Sequence, residues 1–374
     1  MERSLLQSAQ ITSGSINARA AQPTMNGFEH LPALSRSESP ECSVCIANYN
    51  GATMLHDCLA SVIAQQGDLN IEVIVHDDAS TDDSLTMLRA KYPQVEVLAS
   101  TENVGFCVSN NRMVHHARGK FILLLNNDAA LFPDALEALL TSAKNETLPG
   151  ILSLPQYNWQ TGILVDRGCL LDPFYNPIPN LDPARADVAM VIGACLFMPR
   201  TLWIELGGFP EWMESIGEDL YLCCLARLQG YVVTALGKSG YRHRGGATFS
   251  GVRDDANLLV TTFRRRRLSE RNKTAAMVIC TPTPLMWPLL ILHLLLLSSE
   301  GIVLALVKWD WRIWRQIYVT AMGDVWAMRG QLLSSRVAIQ RNRRRIPSSY
   351  ARAFRPVVYK VLMLCRHGLP RVSR

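Results

Sequence analysis

From Cys42 onward the chain alternates short apolar runs with amphipathic stretches. Ser43–Ala47 is a short apolar run closed by the turn residues Asn48-Tyr49-Asn50-Gly51. Met54, Leu55, Cys58, Leu59 and Val62 then recur at helical spacing. Ile71–Val75 predicts a second strand. Asp77-Asp78-Ala79-Ser80-Thr81 follows, and its Ser and Thr suit the start of a helix over Leu85–Ala90. Val95–Leu98 reads as a third strand, Val108–Ala117 as a helix and Phe121–Leu125 as a strongly apolar fourth strand; Pro133 opens a helix through Leu140. Strands covered by helices on both faces are apolar throughout, so this alternation predicts an α/β fold with a mixed, mostly parallel sheet flanked by helices.

Between Gly150 and Pro183 the pattern is less regular, with many Pro and Asn residues. Order returns with Val188–Met198, a helix over Arg200–Leu206, the turn Gly207-Gly208-Phe209 and a helix over Glu218–Gln229. The last third differs. Phe263-Arg264-Arg265-Arg266-Arg267 precedes Ala275–Ser299, twenty-five residues without Asp, Glu, Lys or Arg but with Pro282, Pro284, Pro288 and His293. Trp- and Arg-rich helical material runs on to Arg345. The expected organisation is a flexible leader over 1–40, a domain over 41–262 with halves 41–150 and 151–262, and a basic, apolar helical region over 263–374.

Charge divides at the same place. The 374 residues have a net charge of +6, but residues 1–262 hold 17 basic and 28 acidic side chains, a balance of −11. Residues 263–374 hold 21 basic and 4 acidic ones, a balance of +17. Nucleic-acid binders put basic surface on the reading module, so the long acidic part argues against DNA or RNA as a partner. A 48% hydrophobic content excludes a mostly disordered chain. Most of the ten cysteines lie in apolar runs, which points to buried thiols in a reducing compartment. Cys42-x-x-Cys45 has redox or zinc spacing, but no second pair completes a site. Ala275–Ser299 exceeds the roughly 20 apolar residues that span a bilayer. Its prolines and His293 suit a re-entrant or interfacial helix pair equally well. Trp287, Trp309, Trp311, Trp314 and Trp326 suit the headgroup boundary, and the arginines an anionic cytoplasmic leaflet. The competing reading is a buried helical subdomain with a solvated basic face.

Ligands of such sheets bind beyond the carboxyl ends of the strands. That rule selects Asn48–Asn50, Asp77-Asp78 and Asn126-Asn127-Asp128, which should converge on one edge. Carboxylates placed there suit a hard divalent cation, and a cation suits a diphosphate. A single Asp is as well explained by helix capping, but three agreeing strand ends favour a site. Glu218-Asp219, after Gly217, either complements a helix dipole or supplies a general base. His243 could be a hydrogen-bonded structural residue, a metal ligand or a phosphate contact. Gly105 precedes a helix whose N-terminus could receive a phosphate or a sugar hydroxyl.

The ordered set Cys45-Ile-Ala-Asn-Tyr-Asn50, Glu72-Val-Ile-Val-His-Asp-Asp-Ala-Ser-Thr-Asp-Asp-Ser84, Glu102-Asn-Val-Gly-Phe106 and Leu124-Leu-Asn-Asn-Asp128 resembles family 2 inverting glycosyltransferases. Gly193-Ala194, Gly207-Gly-Phe-Pro-Glu211, Gly217-Glu-Asp219 and Gly230-Tyr231 continue it in order, over about residues 42–250. Similarity to rhamnosyltransferase-like members extends into the basic region. The resemblance implies a GT-A fold, an Rossmann-like binder of nucleotide-diphosphate sugars, acting as a hexosyl- or deoxyhexosyltransferase. Asp78 would hydrogen-bond the nucleotide base, with Tyr49 near it and Ala47, Asn50, Gly105 and Asn127 completing the nucleotide-sugar site. Asp128 would hold Mg2+ or Mn2+ on the diphosphate, with His243 as a second metal or phosphate contact. Asp219 would be the catalytic base, with Glu218 able to share the role. The loop Asn126-Asn127-Asp128 offers one carboxylate, and Tyr221 replaces a second acid that is frequent in the family. No Q-x-x-R-W motif of processive synthases follows residue 240, so non-processive transfer is expected. The implied partners are a nucleotide-diphosphate sugar, a lipid-linked or polysaccharide acceptor of the cell envelope and a membrane surface, at the cytoplasmic face of a bacterial inner membrane. Two rivals are a nucleotidyltransferase, which would more often carry a Gly-rich phosphate loop near 46–53, and a catalytically inert membrane-associated binding or scaffold protein.

Overall fold

The structure, a computed structural model, describes residues 27–145, 149–245, 260–369 and 371–373. Through residue 145 it runs β1 (Phe28–Leu31), β2 (Cys42–Asn48), α1 (Ala52–Ile63), β3 (Ile71–Asp77), α2 (Ser84–Lys91), β4 (Glu96–Ser100), α3 (Phe106–His116), β5 (Phe121–Leu125), β6 (Ala129–Leu131) and α4 (Ala135–Asn145). The irregular stretch resolves into short strands β7 (Gly150–Ser153), β8 (Gln156–Asn158), β9 (Leu164–Asp166), β10 (Cys169–Leu171) and β11 (Pro177–Pro179). Then come β12 (Cys195–Pro199), α5 (Arg200–Leu206), α6 (Glu218–Leu228), β13 (Val232–Ala235), β14 (Tyr241–His243) and β15 (Val260–Thr262). The last third holds α7 (Phe263–Cys280), α8 (Met286–Val307), a π-helical stretch (Ile313–Val319), α9 (Thr320–Ala327), α10 (Arg329–Arg341), α11 (Pro347–Ala351), α12 (Tyr359–His367) and β16 (Arg371–Ser373).

The expected α/β architecture is present. The main sheet has the order β1-β4-β3-β2-β5-β12-β7-β13. β4, β3, β2 and β5 run parallel to one another, as do β7 and β13, while β12 runs antiparallel between β5 and β7 and makes the sheet mixed. Side chains alternate across a strand, and here the alternation separates two cores. Val44, Ile46, Leu123, Leu125 and Phe197 pack with α1 and α4 on one face. Cys45, Ile74, Leu124, Leu196 and Met198 pack with α3, α5, α6 and the end of α7 on the other. A second sheet, β6-β14-β8-β9, carries the chain from the end of β5 back across the edge of the site. Nine cysteines are buried free thiols and Cys365 is exposed.

The leader expected over 1–40 differs in its second half. Residues 1–26 lie outside the described part, but Phe28–Leu31 forms an antiparallel edge strand on β4. The strand is only four residues long among Pro and Ser, too short for periodicity to reveal. Its anchor is buried Glu96, which accepts from His30 Nε2 at 2.6 Å, Arg36 Nη2 at 2.5 Å and His116 Nε2. Burial pushes the Glu96 carboxyl up, but the hydrogen bonds from His116 and His30 and the charge of Arg36 outweigh it and hold the pKa at about 2.

The uncharged run 275–299 is not one element. Ala275–Cys280 is the buried end of α7, in the core beside α6. Residues 281–285 turn the chain, where Pro282 and Pro284 supply no N–H to continue a helix. The remainder enters α8, which continues past Glu300 to Val307. α8 is long and apolar enough to cross a membrane by length and composition, and most of it is exposed.

Because Glu96 titrates lower in the folded than in the unfolded chain, its stabilisation is complete above the ordinary carboxylate range and disappears as pH falls toward 2. Glu96→Gln should therefore lower stability by about 1–3 kcal/mol at pH 7. Urea unfolding should show that difference shrinking by pH 3.

Candidate active site

The three strand ends do converge. They line one cavity of about 1160 Å³, together with α3, the β10–β11 loop, the loop before α6, and α7, α8 and α12. Ala47, Tyr49, Asp78, Gly105, Asn127, Asp128, Glu218, Asp219 and His243 all line it. Asn50 does not. Its side chain accepts from the Thr81 N–H at 2.7 Å, and its own N–H donates to Ser80 Oγ at 2.9 Å, so it ties the β2 and β3 loops together. Asp77 is also turned into those loops: it accepts from Asn48 Nδ2 and from the Ser80 N–H, both at 3.0 Å.

At the strand ends, both Asp78 oxygens accept from the backbone, Oδ1 from Val104 at 2.7 Å and Oδ2 from Gly105 at 2.9 Å. Asp78 thereby holds the turn that enters α3. Burial raises its pKa, against the opposing effect of those hydrogen bonds. Asn127 Nδ2 donates to Asn48 Oδ1 at 2.8 Å, joining the ends of β5 and β2. Gly51 packs on that pair so closely that a Cβ there would lie 2.4 Å from Asn127 Nδ2 and 2.8 Å from Asn48 Oδ1. Asp128 and His243 meet because β14 pairs with β6 in a register that sets His243 opposite Ala129. His243 Nε2 lies 3.0 Å from Asp128 Oδ1, and both residues are largely buried. The Asp128 carboxylate is a hard oxygen donor that suits Mg2+ or Mn2+, whereas the His243 imidazole beside it suits a transition metal, so the pair favours Mn2+ over Mg2+. Among the described residues a second His/Glu cluster, His30–Glu96–His116, has metal-ligand spacing, but it does not line the cavity and Arg36 bridges two of its members.

At the other end, Glu218 and Asp219 open α6 behind Gly217, whose φ of 96° favours glycine. Asp219 Oδ2 accepts from the Gly193 N–H at 2.9 Å and Oδ1 from the Leu220 N–H at 2.7 Å. Glu218 Oε2 is buried with no hydrogen-bond partner. Burial raises the pKa of both carboxyls, and the Asp219 charge raises that of Glu218 further. Arg265 of α7 and Cys107 of α3 face the pair.

Sequence reasoning missed what holds this end. The loop before α6 places Glu214 at φ 62° and Ile216 at φ 70°, unfavourable for side chains of their kind. α7 restrains it. Asn272 Nδ2 donates to the carbonyls of Met213 at 2.8 Å, Ser215 at 3.1 Å and Ile216 at 2.8 Å, and Arg271 Nη2 to those of Trp212 at 2.9 Å and Met213 at 3.1 Å. Arg271 Nη1 and Arg264 Nη2 also reach Glu214, each at 3.1 Å. The arginine-rich segment was expected to face a membrane, and part of it faces the site. Its uneven spacing on α7 carries no periodic signal of that.

Residues 43–167 match the family described as Glycosyl transferase family 2. The chain is 31% identical over 199 residues to a chondroitin synthase of Escherichia coli, covering 52% of this chain and 28% of that protein. It is 28% identical over 188 residues to a chondroitin synthase of Pasteurella multocida, covering 49% and 18%. The succinoglycan biosynthesis protein ExoO of Rhizobium meliloti is 31% identical over 113 residues, covering 30% and 32%. The chain thus spans at most about a third of these relatives' lengths. Among solved structures, the mannosyltransferase PcManGT of Pyrobaculum calidifontis in complex with GDP-Man and Mn2+ aligns over 84% of this chain and 87% of its own, at 18% identity and a TM-score of 0.46.

Replacing Asn272 by Ala leaves backbone carbonyls of a strained loop without donors and should cost about 1–3 kcal/mol. Thermal unfolding should report the loss, and hydrogen exchange should show deprotection concentrated at residues 213–220.

Proposed function

We propose that the protein is an inverting glycosyltransferase. It moves a hexosyl or deoxyhexosyl unit from a nucleotide-diphosphate sugar to a lipid-linked or polysaccharide acceptor in cell-envelope glycan synthesis, one or a few sugars at a time. One observation carries the reading. A half-buried carboxylate, Asp219, is fixed by two backbone N–H groups in the same cavity as Asp78 and the Asp128–His243 pair. The family match over 43–167 and the glycan-synthesising relatives support it.

In this reading Asp78, Tyr49 and Asn127 seat the nucleotide, and Gly105 brings backbone close to the donor. Asp128 and His243 hold a divalent cation, which supplies positive charge against the leaving diphosphate. The acceptor oxygen attacks the anomeric carbon as the bond to the diphosphate oxygen breaks, and its proton passes to Asp219. Burial raises the proton affinity of Asp219, and once ionised Asp219 raises that of Glu218 through like charge. The exposed apolar helix α8 rests in or on a membrane, at its cytoplasmic face.

Asp219→Asn should lower kcat about 10²–10⁴-fold with little change in nucleotide binding; transfer retained at wild-type rate would sink the assignment. Since the pKa of Asp219 is raised, its ionised fraction grows with pH above the ordinary carboxylate range. The acid limb of the kcat/KM profile should therefore lie above that range. The like charge is the one that ionised Asp219 places on Glu218, so Glu218→Gln should leave that limb where it is. The native state also retains protons that the unfolded chain has released, and stability falls as pH rises through that interval. Glu218→Gln should accordingly raise the Tm more at pH 9 than at pH 5.

A further inference from the structure

At the edge of the main sheet, away from the large cavity, side chains from three elements converge on one point. Glu96 begins β4, at the end of the strands away from Asp78. β1 pairs with β4 in a register that sets His30 opposite Leu98. Side chains alternate along a strand, so Glu96, two residues before Leu98, shares a face with His30. α3 covers that face and brings His116 from its last turn. His30 Nε2, His116 Nε2 and a Glu96 carboxylate oxygen all lie within 4.8 Å of one another. The Glu96 side chain is 3% exposed, that of His30 18% and that of His116 31%.

Hydrogen bonding alone does not satisfy this cluster. His30 Nε2 lies 2.6 Å from Glu96 Oε1, which when ionised only accepts, and 3.1 Å from Arg36 Nη2, which only donates. One ring nitrogen carries either a proton or a lone pair. With a proton it suits Glu96 and opposes Arg36; with a lone pair it suits Arg36 and opposes Glu96. A metal cation removes the conflict, because it takes a lone pair from each of the three converging atoms. The guanidinium of Arg36 now stands in that place, with Nη2 also 2.5 Å from Glu96 Oε1. It can be displaced. Arg36 belongs to the coil between β1 and β2, and its side chain is 40% exposed. A cavity of about 440 Å³ opens beside it, with Glu72 and Gln94 on its wall. Two imidazoles and one carboxylate are a donor set of zinc and its transition-metal neighbours, and three protein ligands leave a fourth position to water.

We propose that His30, Glu96 and His116 form a site for a divalent transition cation of the zinc class, which displaces Arg36 and pins β1 to β4 and α3. Its role is structural. None of its ligands lines the large cavity, and the metal would fasten an edge strand that is only four residues long. The proposal does not depend on the sugar-transfer reading.

The test is zinc binding by the full chain, stripped with chelator and titrated against a fluorescent zinc indicator in excess Mg2+. Wild type and Asp128→Asn should both hold this zinc, which keeps it distinct from the Asp128–His243 pair. His116→Gln should weaken binding about tenfold or more, since even the partners of metal ligands are worth that much. Arg36→Ala removes the competing guanidinium and should tighten binding about tenfold. A cluster that served only as a hydrogen-bonded anchor would lose stability in Arg36→Ala with no gain in zinc affinity. Zn2+ should raise the Tm of Asp128→Asn, and the rise should vanish when His116→Gln is added. Zinc affinity equal in wild type and His116→Gln, affinity not increased by Arg36→Ala, or loss of the zinc in Asp128→Asn would each overturn the proposal.

Discussion

The side-chain amide of Asn272, buried among the carbonyls of residues 213–216, joins the two halves of the charge division. A loop with two non-glycine residues at positive φ does not hold itself. Its carbonyls find donors on α7, and α7 is held in turn by the packing of its apolar end against α6. The position of Asp219 therefore depends on a helix that begins near the point where the charge changes sign. Removing the helical region would release Asp219 as well as any membrane contact.

Much of the half before residue 150 was legible in the sequence. Strands buried on both faces must be apolar throughout, so Ile71–Val75 and Phe121–Leu125 stood out, and the polar residues at their ends marked the edge of the site. Individual roles at that edge were less legible. Asn50 and Asp77 stand next to Tyr49 and Asp78 in the same turns, yet both turn into the loops and tie them together. Which of two adjacent polar residues faces a cavity depends on turn geometry, and one residue of register reverses it.

The half after residue 150 was harder to read for a different reason. Its strands are three to five residues long and several pair with partners distant in sequence, such as β14 with β6 and with β8. Periodicity needs a longer window than that. The Gly193 N–H that binds Asp219 belongs to the backbone and carries no side-chain signal. The apolar run 275–299 misled in the opposite direction, because hydropathy does not register where prolines turn the chain. Its first turns are core and its remainder is exposed helix.

That turn is short. Only residues 281–285 separate the buried end of α7 from the start of α8. With α7 committed to the interior, α8 is set by a short corner and by its packing on Ile313, Ile317 and Tyr318, and no tether lies between the two helices. Any surface on which α8 rests meets the cavity at one angle and one height. Reach is then set by the architecture, and a second partner would have to approach from the side of the strand ends that α8 leaves open.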